Sequence, residues 1–245
     1  VKGLAGKQVL VTGGGGAIGA AICRRFAEDG ARVLVGDRVR DSAERVAAQC
    51  NGEALVFDIA DYRAARTALG GTRIDVLVNN AGWDRFQNFA DTNAEDWEEL
   101  IAINLRGPLN MHHIVLPQML ARASGRIINI SSDAARVGSS GEAVYSACKG
   151  GLISFSKTLA REVARKGIAV NVVCPGPTDT PILRGFLGEG EAGHKVYEAL
   201  LRAIPMKRVG QPEDIPGIVV FLASEEAAFI TGQVISVSGG LTMAG

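Results

Sequence analysis

Seven short runs that are apolar almost from end to end set the strongest limit on how this chain can fold. They are Gln8 to Val11, Ala31 to Val35, Ala54 to Phe57, Ile74 to Val78, Arg126 to Ile130, Ile168 to Val173 and Gln233 to Val237. A strand with one face in water alternates apolar and polar residues. A run without that alternation must be covered on both faces, as in a parallel sheet between two helix layers. The segments between the runs supply helices: from Ala17 to Asp29, Ile18, Ile22 and Phe26 recur every four residues on one face. The expected fold is a doubly wound α/β structure.

No Pro/Gly/Ser-rich linker, composition break or internal repeat divides the chain, so residues 1–245 are read as one domain. With 47% apolar and 21% charged residues, a core can form and wholesale disorder is excluded. Lys plus Arg balances Asp plus Glu at 26 each, so no net field draws the chain to nucleic acid or an anionic membrane. A small neutral-to-anionic ligand fits better. Nothing approaches the roughly 18 apolar residues of a membrane span, and Val1 to Val11 lacks the apolar core of a secretory leader. Cys23, Cys50, Cys148 and Cys174 are too scattered for a metal site and read as buried thiols of a reducing compartment. A cytoplasmic, metal-free protein is expected.

After the first strand, Thr12-Gly13-Gly14-Gly15-Gly16-Ala17-Ile18-Gly19 satisfies G-x-G-x-x-G at Gly14, Gly16 and Gly19 and leads into a helix. Glycine lets the backbone approach a pyrophosphate closely, and the helix start offers free N–H groups and a positive dipole end. Asp37 ends the second strand, where a carboxylate can accept hydrogen bonds from ribose hydroxyls and would repel a 2′-phosphate. Its bland role, capping the next helix, is better filled by Asp41-Ser42 with Glu44. Arg38 beside it could tolerate a phosphate, but the balance favours NAD over NADP.

Tyr145 and Lys149, four apart at the start of a helical segment, can converge on one pocket. Alone the pair is a common coincidence. It gains weight from Ser132, which follows the run ending at Ile130, because ligands bind at the carboxyl ends of parallel strands. The proton chemistry also fits: a tyrosine near pKa 10 is a poor base at neutrality, and a neighbouring ammonium should lower it.

The glycine loop, Asn79-Asn80-Ala81-Gly82, Ser132, Tyr145 with Lys149, and Pro175-Gly176 together resemble the short-chain dehydrogenase/reductase family, from Lys7 to the Ser238-Gly239-Gly240 tail. The resemblance implies a Rossmann fold with seven parallel strands and an oxidoreductase that interconverts a secondary alcohol and a ketone. It implies that Asn104, Ser132, Tyr145 and Lys149 are catalytic. It places Gly13, Gly16, Ile18, Gly19, Asp37, Arg38, Asp58, Ile59, Asn80, Ala81, Gly82, Tyr145, Lys149, Pro175, Gly176, Thr178 and Thr180 along the cofactor. A homotetramer is implied as well. Asn104 also has a reading as a buried amide bracing its helix.

A narrower resemblance, around Trp83-Asp84, Ser132 to Tyr145 and Cys174 to Thr180, points to dehydrogenases of hydroxyacyl-CoA thioesters such as 2-hydroxycyclohexanecarboxyl-CoA. Trp83, Val137, Phe186 and Met206 could wall such a substrate, and Arg184, Lys195 or Arg202 could meet CoA phosphates. The competing readings are a 3-oxoacyl thioester reductase and, in another class, a non-catalytic NAD-binding redox sensor. Gly176 to Pro205, rich in Gly and Pro, is expected to be an irregular, mobile lid or else a surface excursion. Pro108 and Pro117 should bend or interrupt the helix expected from Ala94 to Leu120.

Overall fold

The computed structural model describes residues 1–187 and 190–243, without the side chains of Phe186 and Ala192. Its strands are β1 (Gln8–Thr12), β2 (Arg32–Asp37), β3 (Glu53–Val56), β4 (Val76–Asn79), β5 (Gly125–Ile130), β6 (Ile168–Pro175) and β7 (Val234–Val237). They form one seven-stranded sheet in the order β3-β2-β1-β4-β5-β6-β7, and every pairing is parallel. The expected doubly wound fold is the observed one. Between β1 and β4 the winding reverses, and Thr12 stands opposite Asn79 at their carboxyl ends. A crevice opens at such a reversal.

The apolar runs are explained by where alternate residues go. Val9 and Val11 of β1, Val33 and Val35 of β2, and Val76 and Val78 of β4 pack in one cluster. That cluster includes Ile22 and Phe26 of helix α1 (Ala17–Glu28), Val46 of α2 (Arg40–Cys50) and Val219 of α10 (Pro216–Ala223). Leu10, Leu34 and Leu77 point the other way, toward Leu69 of α3 (Tyr62–Leu69), Met111 and Val115 of α5 (Gly107–Ala121), and Leu159 of α7 (Ala143–Val163). Each fully buried Leu, Ile or Phe contributes about 1.5–3 kcal/mol over its exposed state. All four cysteines are free and buried.

The long helix expected after Ala94 is broken. Helix α4 (Ala94–Ile101) passes into a wide π turn (Ala102–Arg106) before α5 begins. Pro108 has no N–H to give the carbonyl of Asn104 four residues earlier, and Gly107 donates instead to Ala102, five residues back. Pro117 sits inside α5.

Two expectations fail. Helix α2 starts at Arg40 with Val39 as its N-cap and no side-chain capping bond, so Asp41, Ser42 and Glu44 do not form the start signal read from the sequence. The Gly/Pro-rich segment is largely helical, with α8 (Pro181–Leu187) and α9 (Gly190–Ala203). Three of its breakers fall at helix ends: Pro181 is the first residue of α8, Gly190 opens α9 with φ +75°, and Pro205 follows α9, while Gly185 and Gly193 lie within the two helices.

Candidate active site

The glycine loop is shaped by close backbone approach. Gly13 has φ +62°, and a Cβ on it would lie 2.7 Å from the Ala81 Cα. A Cβ on Gly19 would meet the Gly13 carbonyl oxygen at 2.1 Å, so only glycine lets α1 start so near the loop. The loop after β4 locks onto it. Asn80 Nδ2 donates to the carbonyls of Thr12 at 3.0 Å and Gly13 at 3.1 Å. Thr12 Oγ1 accepts from the N–H groups of Asn80 at 3.1 Å and Ala81 at 3.2 Å.

This crevice is a cleft of about 330 Å³ lined by Gly13, Gly16, Ile18, Gly19, Asp37, Arg38, Asp58, Ile59, Asn80, Ala81, Gly82 and Thr180. Asp37 accepts from the N–H of Gly15 and that of Val39, each at 3.0 Å, which fixes its carboxylate at the end of β2. Asp58 Oδ1 accepts from the Ala60 N–H at 2.8 Å, and Ile59 is buried against Gly107.

A second cleft of about 310 Å³ adjoins the first and shares Ile18, Asn80, Gly82, Thr180 and Ile182 with it. Ser132, Tyr145, Lys149, Pro175, Gly176 and Thr178 line this one. Ser132 follows β5, and its hydroxyl hydrogen-bonds the Tyr145 phenol, which favours the phenolate. Lys149, one turn along α7, is 2% exposed and donates to the Ile130 carbonyl at 3.1 Å. Its Nζ lies 5.7 Å from the centre of the Tyr145 ring. Burial pushes the Lys149 ammonium down to about 8, near the pH at which it can both hold and release a proton.

The comparisons with known proteins agree with this geometry. A family model described as enoyl-(acyl carrier protein) reductase matches residues 15–242. The chain is 38% identical over 245 residues to the 3-oxoacyl-(acyl-carrier-protein) reductase of Escherichia coli, covering 97% of this chain and 98% of the relative. It is 40% identical over 241 residues to an acetoacetyl-CoA reductase of Rhizobium meliloti, covering 96% and 98%. A solved 3-oxoacyl-(acyl-carrier protein) reductase of Brucella melitensis with bound NAD is similar at TM-score 0.89 and 31% identity, covering 98% of this chain and 92% of that one. The chain belongs to the short-chain dehydrogenase/reductase family.

As a member of that family it is an oxidoreductase acting between CH–OH and ketone groups, with a nicotinamide dinucleotide. The residues present suit such a group: a backbone cradle that a Cβ on Gly13 or Gly19 would fill, and an anchored carboxylate at the far end.

One expectation about this dehydrogenase/reductase needs correction, that for Tyr145, whereas Asn104 takes the bracing position its sequence context allowed, outside the lining of both clefts. It is fully buried in the π turn, accepts from the Trp83 N–H at 3.2 Å, and donates to the carbonyls of Trp83 at 2.7 Å and Leu100 at 3.0 Å. Its side chain braces the loop after β4. Tyr145 is pushed well above its ordinary pKa, by burial first and then by the carboxylates of Asp84 and Glu142; Lys149 is not what shifts it in the chain alone.

Of the expected substrate wall, Val137 lines the second cleft, Trp83 lines the first, and Met206 is 70% exposed beside a third cleft. The Phe186 side chain lies outside the described residues. Arg184, Lys195 and Arg202 pair with Asp179, Glu191 and Glu198 at 2.8, 2.8 and 3.6 Å. Sequence reasoning missed Phe86, Leu183, Leu200 and Leu241 in the second cleft. Phe86, three residues beyond Trp83, and Leu183, beside Arg184, had a nearby signal; Leu200 and Leu241 had none.

Proposed function

We propose that this short-chain dehydrogenase/reductase interconverts a secondary alcohol and a ketone on an acyl thioester, using NAD. The observation that carries the reading is the meeting of Ser132, Tyr145 and Lys149 in a cleft continuous with the glycine-loop crevice. NAD, when bound, supplies the hydride acceptor or donor. The chain's own groups do the rest. The Ser132 hydroxyl donates to the substrate oxygen and hydrogen-bonds the Tyr145 phenol, Tyr145 takes or returns the substrate's proton, and Lys149 carries it onward. Gly13, Gly16, Gly19, Asp37 and Asn80 to Gly82 hold the dinucleotide. NAD is preferred because a 2′-phosphate would face the anchored Asp37 carboxylate.

Two substrate readings stand. The first is a hydroxyacyl-CoA such as 2-hydroxycyclohexanecarboxyl-CoA, supported by the apolar side chains of Phe86, Val137, Leu183, Leu200 and Leu241 around the cleft. The second is a linear 3-oxoacyl thioester, favoured by the names of the Escherichia and Rhizobium relatives. Phosphates of CoA could recruit Arg184, Lys195 or Arg202 readily, since their ion pairs are exposed and screened by solvent. The same reading carries a cytoplasmic homotetramer; Ile101 at the end of α4 and Leu120 near the end of α5 are exposed apolar side chains that such an assembly would cover, and light scattering should give four times the chain mass.

The test is absorbance of reduced nicotinamide with NAD or NADP and a panel of cyclic hydroxyacyl-CoA, linear 3-hydroxyacyl-CoA and simple cyclic alcohols. Turnover with NAD on a thioester is expected, and the preferred panel member decides between the two readings. Tight NAD binding with no turnover across the panel would favour the redox-sensor alternative.

A further inference from the structure

Beside the catalytic groups sit two carboxyl groups that the proposed chemistry does not use. Asp84 follows Gly82 and Trp83 on the loop after β4, and Glu142 is the last residue before α7, three positions ahead of Tyr145. Their side chains are in hydrogen-bond contact. A small cavity brings Asp84, Gly141, Glu142 and Tyr145 together. Asp84 Oδ1 accepts from the Arg85 N–H at 2.8 Å. Asp84 Oδ2 is sealed from solvent and no N–H or O–H of the described residues reaches it. A buried oxygen without a donor is costly, and two carboxylates in contact away from water cannot both stay ionised. One proton between them resolves both problems.

The backbone makes the same junction. The Gln87 N–H donates to the Gly141 carbonyl at 2.9 Å, so the loop carrying Asp84 is tied to the turn carrying Glu142. Asn104 holds the other end of that loop through Trp83. Of the charged groups facing the pair, Arg85 of the same loop is occupied by Asp96 of α4, while Lys149 and Tyr145 face it from α7. Glu142 lies at the positive end of the α7 dipole, which favours a negative charge there, so the shared proton belongs to Asp84.

We infer that Asp84 and Glu142 form one proton-sharing carboxyl pair that latches the loop after β4 to the start of α7 and sets the pH at which Tyr145 gives up its proton. They are positioning residues, acting through Tyr145, and this role rests on the alcohol–ketone reading of the site. Burial and Glu142 push Asp84 up to about 8. Below that pH the pair carries one negative charge and the latch holds. Above it the proton leaves to solvent, two like charges face each other, and the phenolate of Tyr145 is opposed by both.

The experiment uses wild type, Glu142→Gln and Asp84→Asn, each of which keeps a hydrogen bond across the pair while removing one titratable carboxyl group. Infrared difference spectra of the free protein, below against above pH 8, read the protonated carboxyl directly. Wild type should lose a carboxylic-acid band near pH 8, and both variants should lack that change. In alcohol oxidation above pH 8, where the wild-type pair carries two charges and either variant one, the pH limb of both variants should move down by about one unit, roughly tenfold in rate on the rising limb, with KM little altered. A purely structural latch would change stability and KM but leave the limb in place. The inference is overturned if wild type shows no such band, if the band persists in both variants, or if the limbs coincide. The infrared arm needs no substrate, so a failure of the proposed reaction shows separately, as absent turnover with the band intact.

Discussion

The two clefts that meet at Gly82 are built by different means. The first is made mainly of backbone: the Gly13 and Gly19 approaches and the Thr12–Asn80 cross-links fix its shape. The second is made of side chains that come from β5, α7, α8, α9 and the tail after β7. A backbone cradle recognises what every dinucleotide shares, whereas a side-chain cleft can be re-lined without disturbing it. One fold can therefore keep its cofactor while its substrate varies.

If that division is real, changes in one cleft should leave the other's readout alone. A large effect, second only to loss of the Tyr145 hydroxyl, is expected from Ser132→Ala, which removes a donor to the substrate oxygen and should lower kcat about 10²–10³-fold, with the NAD Kd from fluorescence titration unchanged. A loss of NAD affinity of similar size would break the comparison.

Next comes the polar joint beneath both clefts. Asn79 of β4 donates to Asn129 of β5 at 2.8 Å, Asn129 donates to Ser156 of α7 at 2.8 Å, and His112 of α5 lies against both asparagines while bonded to the Pro108 carbonyl at 2.6 Å. Burial pushes His112 down from 6.5 to about 4. The unfolded chain therefore takes up the proton first. Stability is fully present above pH 6.5 and is lost as pH falls toward 4, by about 3 kcal/mol. Thermal unfolding across that range should show the slope, and His112→Asn should flatten it.

Gly19→Ala should weaken NAD binding about 10–100-fold, because a methyl 2.1 Å from the Gly13 oxygen forces strain of about 1–3 kcal/mol into the loop; any residual turnover should keep its substrate KM. The smallest effect is Leu241→Ala. It removes part of the apolar wall, and should raise substrate KM severalfold, at about 25 cal/mol per Å² exposed, without moving the NAD Kd.

The same division governs what the sequence could reveal. The glycine loop and Asp37 were legible because a strand, a turn and a helix start are contiguous, so spacing alone implies geometry. Tyr145 and Lys149 were legible because one helical turn relates them. Leu200 and Leu241 were not, since their meeting with Phe86 and Val137 depends on how distant segments cross the sheet's carboxyl edge. The glycines and prolines between Gly176 and Pro205 read as an irregular lid or surface excursion, whereas Pro181, Gly190 and Pro205 mark the bounds of α8 and α9. The upward shift of Tyr145 was illegible for a similar reason: burial of the phenol, its main cause, and the approach of Asp84, the next, both arise only through the fold.

The most direct test of the account is Tyr145→Phe, with NAD affinity and turnover measured on the same preparation. The variant should bind NAD with a Kd like that of wild type and turn over about 10²–10⁴-fold more slowly, the contribution of a positioned acid/base. Turnover close to wild type, or a parallel collapse of NAD binding in a folded protein, would contradict it.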